Sequence, residues 1–416
     1  MPASELEPAV PRLDGIDTLR GLSILAVILL HIWIRLMLVA SVSLGRTWPR
    51  TLSSLVWHNG GNGVTIFFAV SGFLITLTSL RRFGSLGAIR PRVFYRIRFA
   101  RIMPLLLLLL AVLSVLHLAH VDAFRISEKF FTLPRALFAA LTFHLNWLEA
   151  ARNKYLPACW TVLWSLSIEE AFYFFFPLVS AFLPRLGRAG IALWFAIAFA
   201  LVAMGPFART VWSHTSLQQE NSYLAGMSDI ALGCLAAWLT DRGLRHRRTP
   251  RRRTLWLMQA IGWLPIAVFA TWPRWQWGRP ALRFIAHTGT DDTLLAFGTA
   301  LICSAVALSA RPGRAWTRPL RWFGRHSYEV YLSHEFVVLA GVALLTQRFA
   351  FGVSRPVICA FVAAIVAVAA VLGRVLARWF SEPMNRWLRG ARMAEPVHAD
   401  RSKALWPLES GGGNAL

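Results

Sequence analysis

Cysteine, lysine and carboxylates are all scarce in this sequence. Its four cysteines, Cys159, Cys234, Cys303 and Cys359, stand far apart with no CxxC or Cys/His spacing. That excludes a zinc-knit or disulfide-stapled fold, and no metal is expected. Lysine occurs only at Lys129, Lys154 and Lys403, and 20 acidic residues stand against 44 basic ones, for a formal charge of +24. A surplus of this size often marks nucleic-acid binding. Here the positive charges are arginines in short clusters between apolar runs, with no continuous stripe on a polar domain. Nucleic acid is therefore excluded as a partner, and the positive-inside rule accounts for the arginines. Fixed-period repeats and inverted symmetry between the halves are also missing, which removes the sequence signs of a solenoid or a two-repeat transporter.

What is present is apolar. Of 416 residues, 56% are hydrophobic and the mean hydropathy is +0.50, too high for a soluble domain of this size. Runs long enough to cross ~30 Å of hydrocarbon recur at 21–43, 62–80, 99–119, 160–183, 189–205, 222–240, 254–271, 291–310, 327–346 and 356–378. The fold class that follows is all-α, a polytopic transmembrane helical bundle with about ten spans. A further run, 131–149, carries Pro134, Arg135, His144, Asn146 and Glu149, and reads as an interfacial or re-entrant segment. If it does not span, the clusters Arg81 to Arg101, Arg185 and Arg188, Arg242 to Arg253, Arg311 to Arg325 and those after Arg374 fall on one face. Letting it span would move the last three to the other side from Arg81–Arg101. Ten spans with both termini in the cytoplasm is therefore the expected topology.

The lead before the first run contains Pro2, Pro8 and Pro11, and no small-residue cleavage site follows the run. It is expected to be a retained helix rather than a signal peptide. The chain thus divides into a cytoplasmic lead (1–20), a membrane domain (21–380) and a cytoplasmic tail (381–416), whose Gly411–Gly413 reads as flexible.

Several spans carry residues that are expensive in hydrocarbon and mark function or interhelical pairing. Arg20 and His31 are eleven residues apart, ~16 Å along a helix and on one face, which puts His31 near the midplane. Arg35 either points inward or snorkels to the outer interface. In CWTVLWSLSIEEAF, Glu169 lies ~13 Å deep, level with His31. A carboxylate beside a buried imidazole would fix its tautomer and raise its basicity, as a general base needs; the alternative is a structural pair. Glu170 points about 100° away and is the weaker candidate of the two acids.

Other positions keep two readings. Ser71 and Gly72, with Gly61 and Gly63 nearby, permit close approach of either a helix or a ligand. Arg90, Arg92, Arg96, Arg98 and Arg101 either set topology or line one helix face for a phosphate-rich ligand. Tyr331 and His334, three apart beside Tyr328 and Glu335, either shape a polar cavity or pair helices. Asp229 is a buried charge with no evident partner.

Arg20 with ten residues before His31, FFAVSGF at 67–73 (Phe73 included), Arg98 with two residues before Arg101, WSLSIEEAFY from Trp164, and SYEVYLSH at 327–334 occur in that order. Together they resemble the acyltransferase-3 family of membrane O-acyltransferases, across roughly residues 12–388. The resemblance implies transfer of an acyl group, commonly acetyl, from cytosolic acyl-CoA (acetyl-CoA as co-substrate) to a hydroxyl of a surface polysaccharide, lipid-linked glycan or similar acceptor. It implies a multi-pass protein of the bacterial inner membrane, in contact with membrane lipid. By matched position it makes His31 catalytic, Arg20 its motif partner, Arg98 and Arg101 the acyl-CoA pair, and Glu169 the acid of the tryptophan motif. Supporting positions are Ser71, Gly72, Phe73, Trp164, Tyr331 and His334. Two positions depart from the family pattern: Thr76 replaces a frequent tyrosine, and Met227 replaces an arginine before Asp229. No SGNH-type hydrolase domain is expected after the membrane part, so the bundle would complete the transfer or hand the group on. The competing classes are a transporter or flippase using the buried His, Glu and Arg, and a non-catalytic scaffold.

Overall fold

The structure, a computed structural model, describes residues 12–40, 50–246, 250–271, 284–285, 288–309, 311–348 and 354–390. The lead up to residue 11, residues 41–43 of the first expected span, residue 310 of the eighth and the tail from residue 391 lie outside the described residues. Among those described there are helices and no strands.

The chain runs α1 (Asp14–Ala40), α2 (Arg50–Trp57), α3 (Gly60–Phe83), α4 (Pro91–Leu118), α5 (Leu133–Leu141), α6 (Leu145–Arg152), α7 (Leu163–Phe182) and α8 (Gly187–Thr210). It continues through α9 (Ser216–Glu220), α10 (Tyr223–Arg245), α11 (Arg252–Thr271), α12 (Thr290–Ser309), α13 (Arg318–Arg325), α14 (Ser327–Arg348), α15 (Arg355–Leu376) and α16 (Glu382–Arg389). Nine stretches of the described residues are long and apolar enough to cross a membrane. One of them, Ala158–Thr210, contains both α7 and α8, so the expected span count is met. The break is chemical. Pro184 supplies no N–H inside the turn Leu183–Leu186, and Gly187 follows at φ +71°, where a side chain would be strained. The segment 131–149 does not span. It is split into α5 and α6, of 9 and 8 residues, each ~12–14 Å long against ~30 Å of hydrocarbon.

Alternation of the spans puts the starts of α1, α4, α8, α11 and α14 and the ends of α3, α7, α10, α12 and α15 on one side. The arginine clusters fall there, on what we term the basic face. Ion pairs tie α13 to the start of α1 on that side, Arg321 to Asp14 at 3.1 Å and Arg325 to Asp17 at 3.2 Å.

The centre of the bundle is α3. Of its apolar window 72% is buried, against 11% for α11, which is peripheral. Small residues allow this. A Cβ on Gly72 would sit 1.9 Å from the Ile230 carbonyl oxygen, and one on Gly233 2.1 Å from that of Ala69. The close approach at Gly72 is thus α3 against α10, a backbone contact that only glycine permits. Phe73 is fully buried beside it, and Trp164 meets Phe68 edge-on at 6.2 Å. Both are core residues. Asp229 on α10 finds its partner in Arg209 of α8 at 2.8 Å, which also reaches Asp292 at 3.3 Å.

Candidate active site

Two polar clusters inside the bundle hold the residues singled out in the sequence. The first lines a cavity of about 240 Å³ between α1, α3, α4, α7 and α14. Arg20, Arg98 and Arg101, six, seven and ten residues in from the basic-face ends of their helices, stand at one end, and Ser165 and Tyr331 line it deeper in. Apolar side chains from α3 and α14, including Phe67, Phe68 and Leu332, form much of the wall.

Its three arginines differ in their surroundings. Arg98 is engaged on several sides: Nε donates to Glu170 Oε1 at 2.8 Å, Nη2 lies 2.7 Å from the same oxygen, Glu169 is 3.8 Å away, and the guanidinium covers the Tyr173 ring at 3.8 Å. Arg20 donates to a neutral group, Ser327 Oγ, at 2.7 Å. Neither Arg20 nor Arg101 has a carboxylate within ion-pair distance among the described residues. With no carboxylate in direct contact, both guanidiniums are able to take an anion that enters the cavity. Glu170, the weaker candidate of the two neighbouring acids in the sequence, is the residue that holds Arg98.

Glu169 was expected beside His31. The structure corrects this: Glu169 accepts from Ser71 Oγ and, at 3.1 Å, from the Tyr173 hydroxyl, and Ser71 also meets that hydroxyl. The expected shared depth fails as well: Leu30 and Trp33, on either side of His31, meet Gly60 and His58 at the outer end of α3, whereas Glu169 meets Ser71, eleven residues further along that helix. α1 packs against α3, α13 and α14, whereas α7 packs against α4, α6 and α10. Ser71 accordingly belongs to the Glu169 group and lines the cavity, while Gly72 faces α10.

The second cluster is built around His31. Its Nδ1 lies 2.6 Å from His334 Nε2, with the rings stacked at 4.9 Å and 14°. On the far side of His334, Nδ1 lies 2.7 Å from the Tyr331 carbonyl oxygen and 3.2 Å from that of Val330. A carbonyl only accepts, so His334 Nδ1 carries the hydrogen. Neutral His334 then accepts at Nε2, and His31 Nδ1 must donate to it. What is left on His31 is a lone pair at Nε2, the atom of a general base or nucleophile. Glu335, adjacent to His334 and fully buried, takes two hydrogen bonds from Arg35 on one oxygen, at 3.0 and 2.5 Å. Its other oxygen, Oε2, has no protein partner. Arg35 therefore points inward. The pattern was present in the sequence as Arg35 four residues after His31 and Glu335 next to His334, but nothing local joined the two helices.

His31, His334 and Glu335 also bring ligand-type atoms within 4.8 Å of one another. Two zinc–nitrogen bonds at a tetrahedral angle would hold the nitrogens about 3.3 Å apart. The 2.6 Å separation is that of a hydrogen bond.

The two clusters meet at Tyr331. Its hydroxyl donates to the Val162 carbonyl at 3.0 Å and meets Ser165 Oγ at 2.7 Å, while its ring lies 5.9 Å from that of His334. One side of this tyrosine faces the cavity and the other the histidine pair. From the basic face inward come the arginines, the partly apolar cavity and, beyond Tyr331, the histidine pair, which does not itself line that cavity.

Comparison with known proteins follows the same outline. Residues 13–374 match the family model described as an acyltransferase domain. The O-acetyltransferase OatA of Staphylococcus aureus (strain NCTC 8325 / PS 47) is 23% identical over 350 residues, covering 79% of this chain and 51% of its own length. OatA of Staphylococcus aureus (strain COL) matches with the same identity and coverage. The chain spans about half the length of the curated relatives it matches. No solved structure matches it. With the match running through every helix that carries Arg20, His31, Arg98, Arg101, Glu169 and His334, the chain belongs to the acyltransferase-domain family of membrane proteins.

Proposed function

We propose that this protein is a membrane O-acyltransferase that moves an acyl group, acetyl in the first instance, from acyl-CoA to a hydroxyl of a glycan or glycolipid acceptor. The observation that carries the reading is the His31–His334 pair, which leaves His31 Nε2 as a free base inside a family-matched bundle. Under the positive-inside rule the basic face is cytosolic, in a bacterial inner membrane with both termini on that side.

In this reading Arg20 and Arg101 take the donor's phosphates at the cavity mouth by charge-assisted bonds. Arg98, already held by Glu170, positions the mouth instead of carrying the anion. The thioester extends along the apolar wall toward Tyr331. His31 Nε2 removes the acceptor hydroxyl's proton as the oxygen attacks the thioester carbonyl carbon. The C–S bond then breaks, and the imidazolium returns the proton to the departing thiolate, giving the ester and free CoA. His334, holding Nδ1–H, keeps the productive tautomer, the role first expected of Glu169. Glu335 lies next in line to offset the positive charge that His31 acquires.

The test uses purified protein, radiolabelled acetyl-CoA and a hydroxyl acceptor. Wild type should release CoA and label the acceptor, His31→Ala should lose both by about a thousand-fold, and Arg101→Ala should raise the KM for acetyl-CoA with kcat nearly kept. Equal turnover in wild type and His31→Ala would sink the proposal. Omitting the acceptor separates direct transfer, which leaves the protein unlabelled, from a covalent acyl-histidine.

A further inference from the structure

A second cavity, of about 680 Å³, opens at the basic face, away from the candidate active site. It lies between the end of α3, the α7–α8 turn and the end of α10. Its basic lining is Arg185, Arg242, Arg245 and His246, and its ring-bearing wall is Trp194, Phe195 and Trp238. Asp241 is the one acid in that lining, and it is spent on Arg245 at 2.6 Å. Arg242 lies over the Trp238 ring at 5.0 Å, which holds its guanidinium at the rim. The Trp194 indole N–H is committed to Ser180 Oγ at 3.0 Å, so that residue offers its ring face. Arg185 and Arg242 are both exposed.

The walls decide what kind of anion fits. Ile191 lines the groove, and the helices that bound it expose Leu186, Leu193 and Leu239 by about half or more (55, 48 and 63%). At the end of a membrane-crossing helix, such residues face acyl chains. Cations at headgroup level beside an aromatic and aliphatic wall suit one molecule with both characters. A soluble anion would leave the apolar wall uncovered, and a neutral lipid would leave Arg185 and Arg242 unmatched.

We infer that this groove between α3, α8 and α10 binds an anionic phospholipid, with the phosphate held by Arg185 and Arg242 and one acyl chain lying along Trp194 and Ile191. The inference does not rest on the acyltransferase reading, since none of these residues contributes to the Arg20–His31 site. Its experiment needs no enzymatic readout.

Full-length protein in dodecylmaltoside is titrated with phosphatidylglycerol, phosphatidylcholine or inorganic phosphate. Bound lipid is counted by native mass spectrometry and the unfolding midpoint is followed. Phosphatidylglycerol should bind saturably and raise the midpoint, while the other two leave it unchanged. Arg185→Gln with Arg242→Gln should weaken phosphatidylglycerol binding by about thirty-fold, two surface cations' worth, whereas Arg252→Gln, on the same face outside the groove, should bind as wild type. Should the double variant fold poorly, Arg242→Lys keeps the charge but loses the planar stack on Trp238, and should still bind several-fold more weakly. Unchanged phosphatidylglycerol binding in both the double variant and Arg242→Lys would overturn the inference, as would equal binding of phosphatidylcholine, or inorganic phosphate that competes with the lipid on equal terms.

Discussion

His31 Nδ1 and His334 Nε2, 303 residues apart in sequence, lie 2.6 Å apart in the bundle, and two backbone carbonyls behind His334 decide which ring donates. A histidine thus occupies the place where a carboxylate was expected. Unlike a carboxylate it carries no fixed charge, which suits a site buried in hydrocarbon. The acid is one residue further on, at Glu335, paired with Arg35.

If His334 acts by holding the tautomer of His31, its replacement should act on kcat and spare the KM for acyl-CoA. His334→Ala should lower kcat by about 10² to 10⁴-fold. His334→Gln, whose side-chain oxygen can still accept from His31 Nδ1–H, should keep most of it. Steady-state kinetics of both variants check this. Equal losses for Gln and Ala, or a matching rise in KM, would assign His334 a packing role only.

The Arg35–Glu335 pair gives a stability prediction. Removing one partner leaves a buried charge, so Arg35→Ala should destabilise the bundle by about 3–5 kcal/mol. Arg35→Met together with Glu335→Leu replaces the pair by apolar volume and should recover most of that loss. Unfolding in detergent, followed by near-ultraviolet circular dichroism, measures both. A double variant no more stable than Arg35→Ala would refute the unpaired-charge explanation.

Outside the spans, Glu149 on α6 is fully buried and accepts from the Leu156 N–H at 2.8 Å and Asn221 Nδ2 at 3.1 Å. Burial outweighs those bonds and pushes its carboxyl from 4.5 up to about 8. A folded-state pKa above the unfolded one means that the native state binds the proton more tightly. Its contribution is therefore complete below about pH 4.5 and is lost as pH rises through about 8, on the order of 4 kcal/mol. The wild-type unfolding midpoint should fall across this window, and Glu149→Gln, which stays neutral, should flatten the fall. An unchanged slope in that variant would remove Glu149 as its source.

Much of the architecture was legible in the sequence because hydrocarbon imposes simple rules. Ten apolar runs, the proline and polar residues of 131–149 and the arginine clusters were enough for the span count, the short α5–α6 pair and the one basic face. The candidate site was legible only along each helix. Arg20, His31 and Arg35 share α1, and Tyr331, His334 and Glu335 share α14, with spacing that shows which of them share a face. Asp229 illustrates the limit, since its partner came from another helix, α8, as Arg209.

Local chemistry therefore determined that this chain is a helical membrane bundle with polar residues at chosen depths. Only tertiary packing decided that His31 meets His334 instead of Glu169, that Glu170 holds Arg98 while Arg20 and Arg101 have no carboxylate within ion-pair distance among the described residues, and that Gly72 serves a helix contact. The physical reason is that a helix's periodicity specifies height and angle about its own axis. Which neighbour stands at that angle is settled by close packing between helices, at contacts such as Gly72 on Ile230, where backbones approach only if no side chain intervenes.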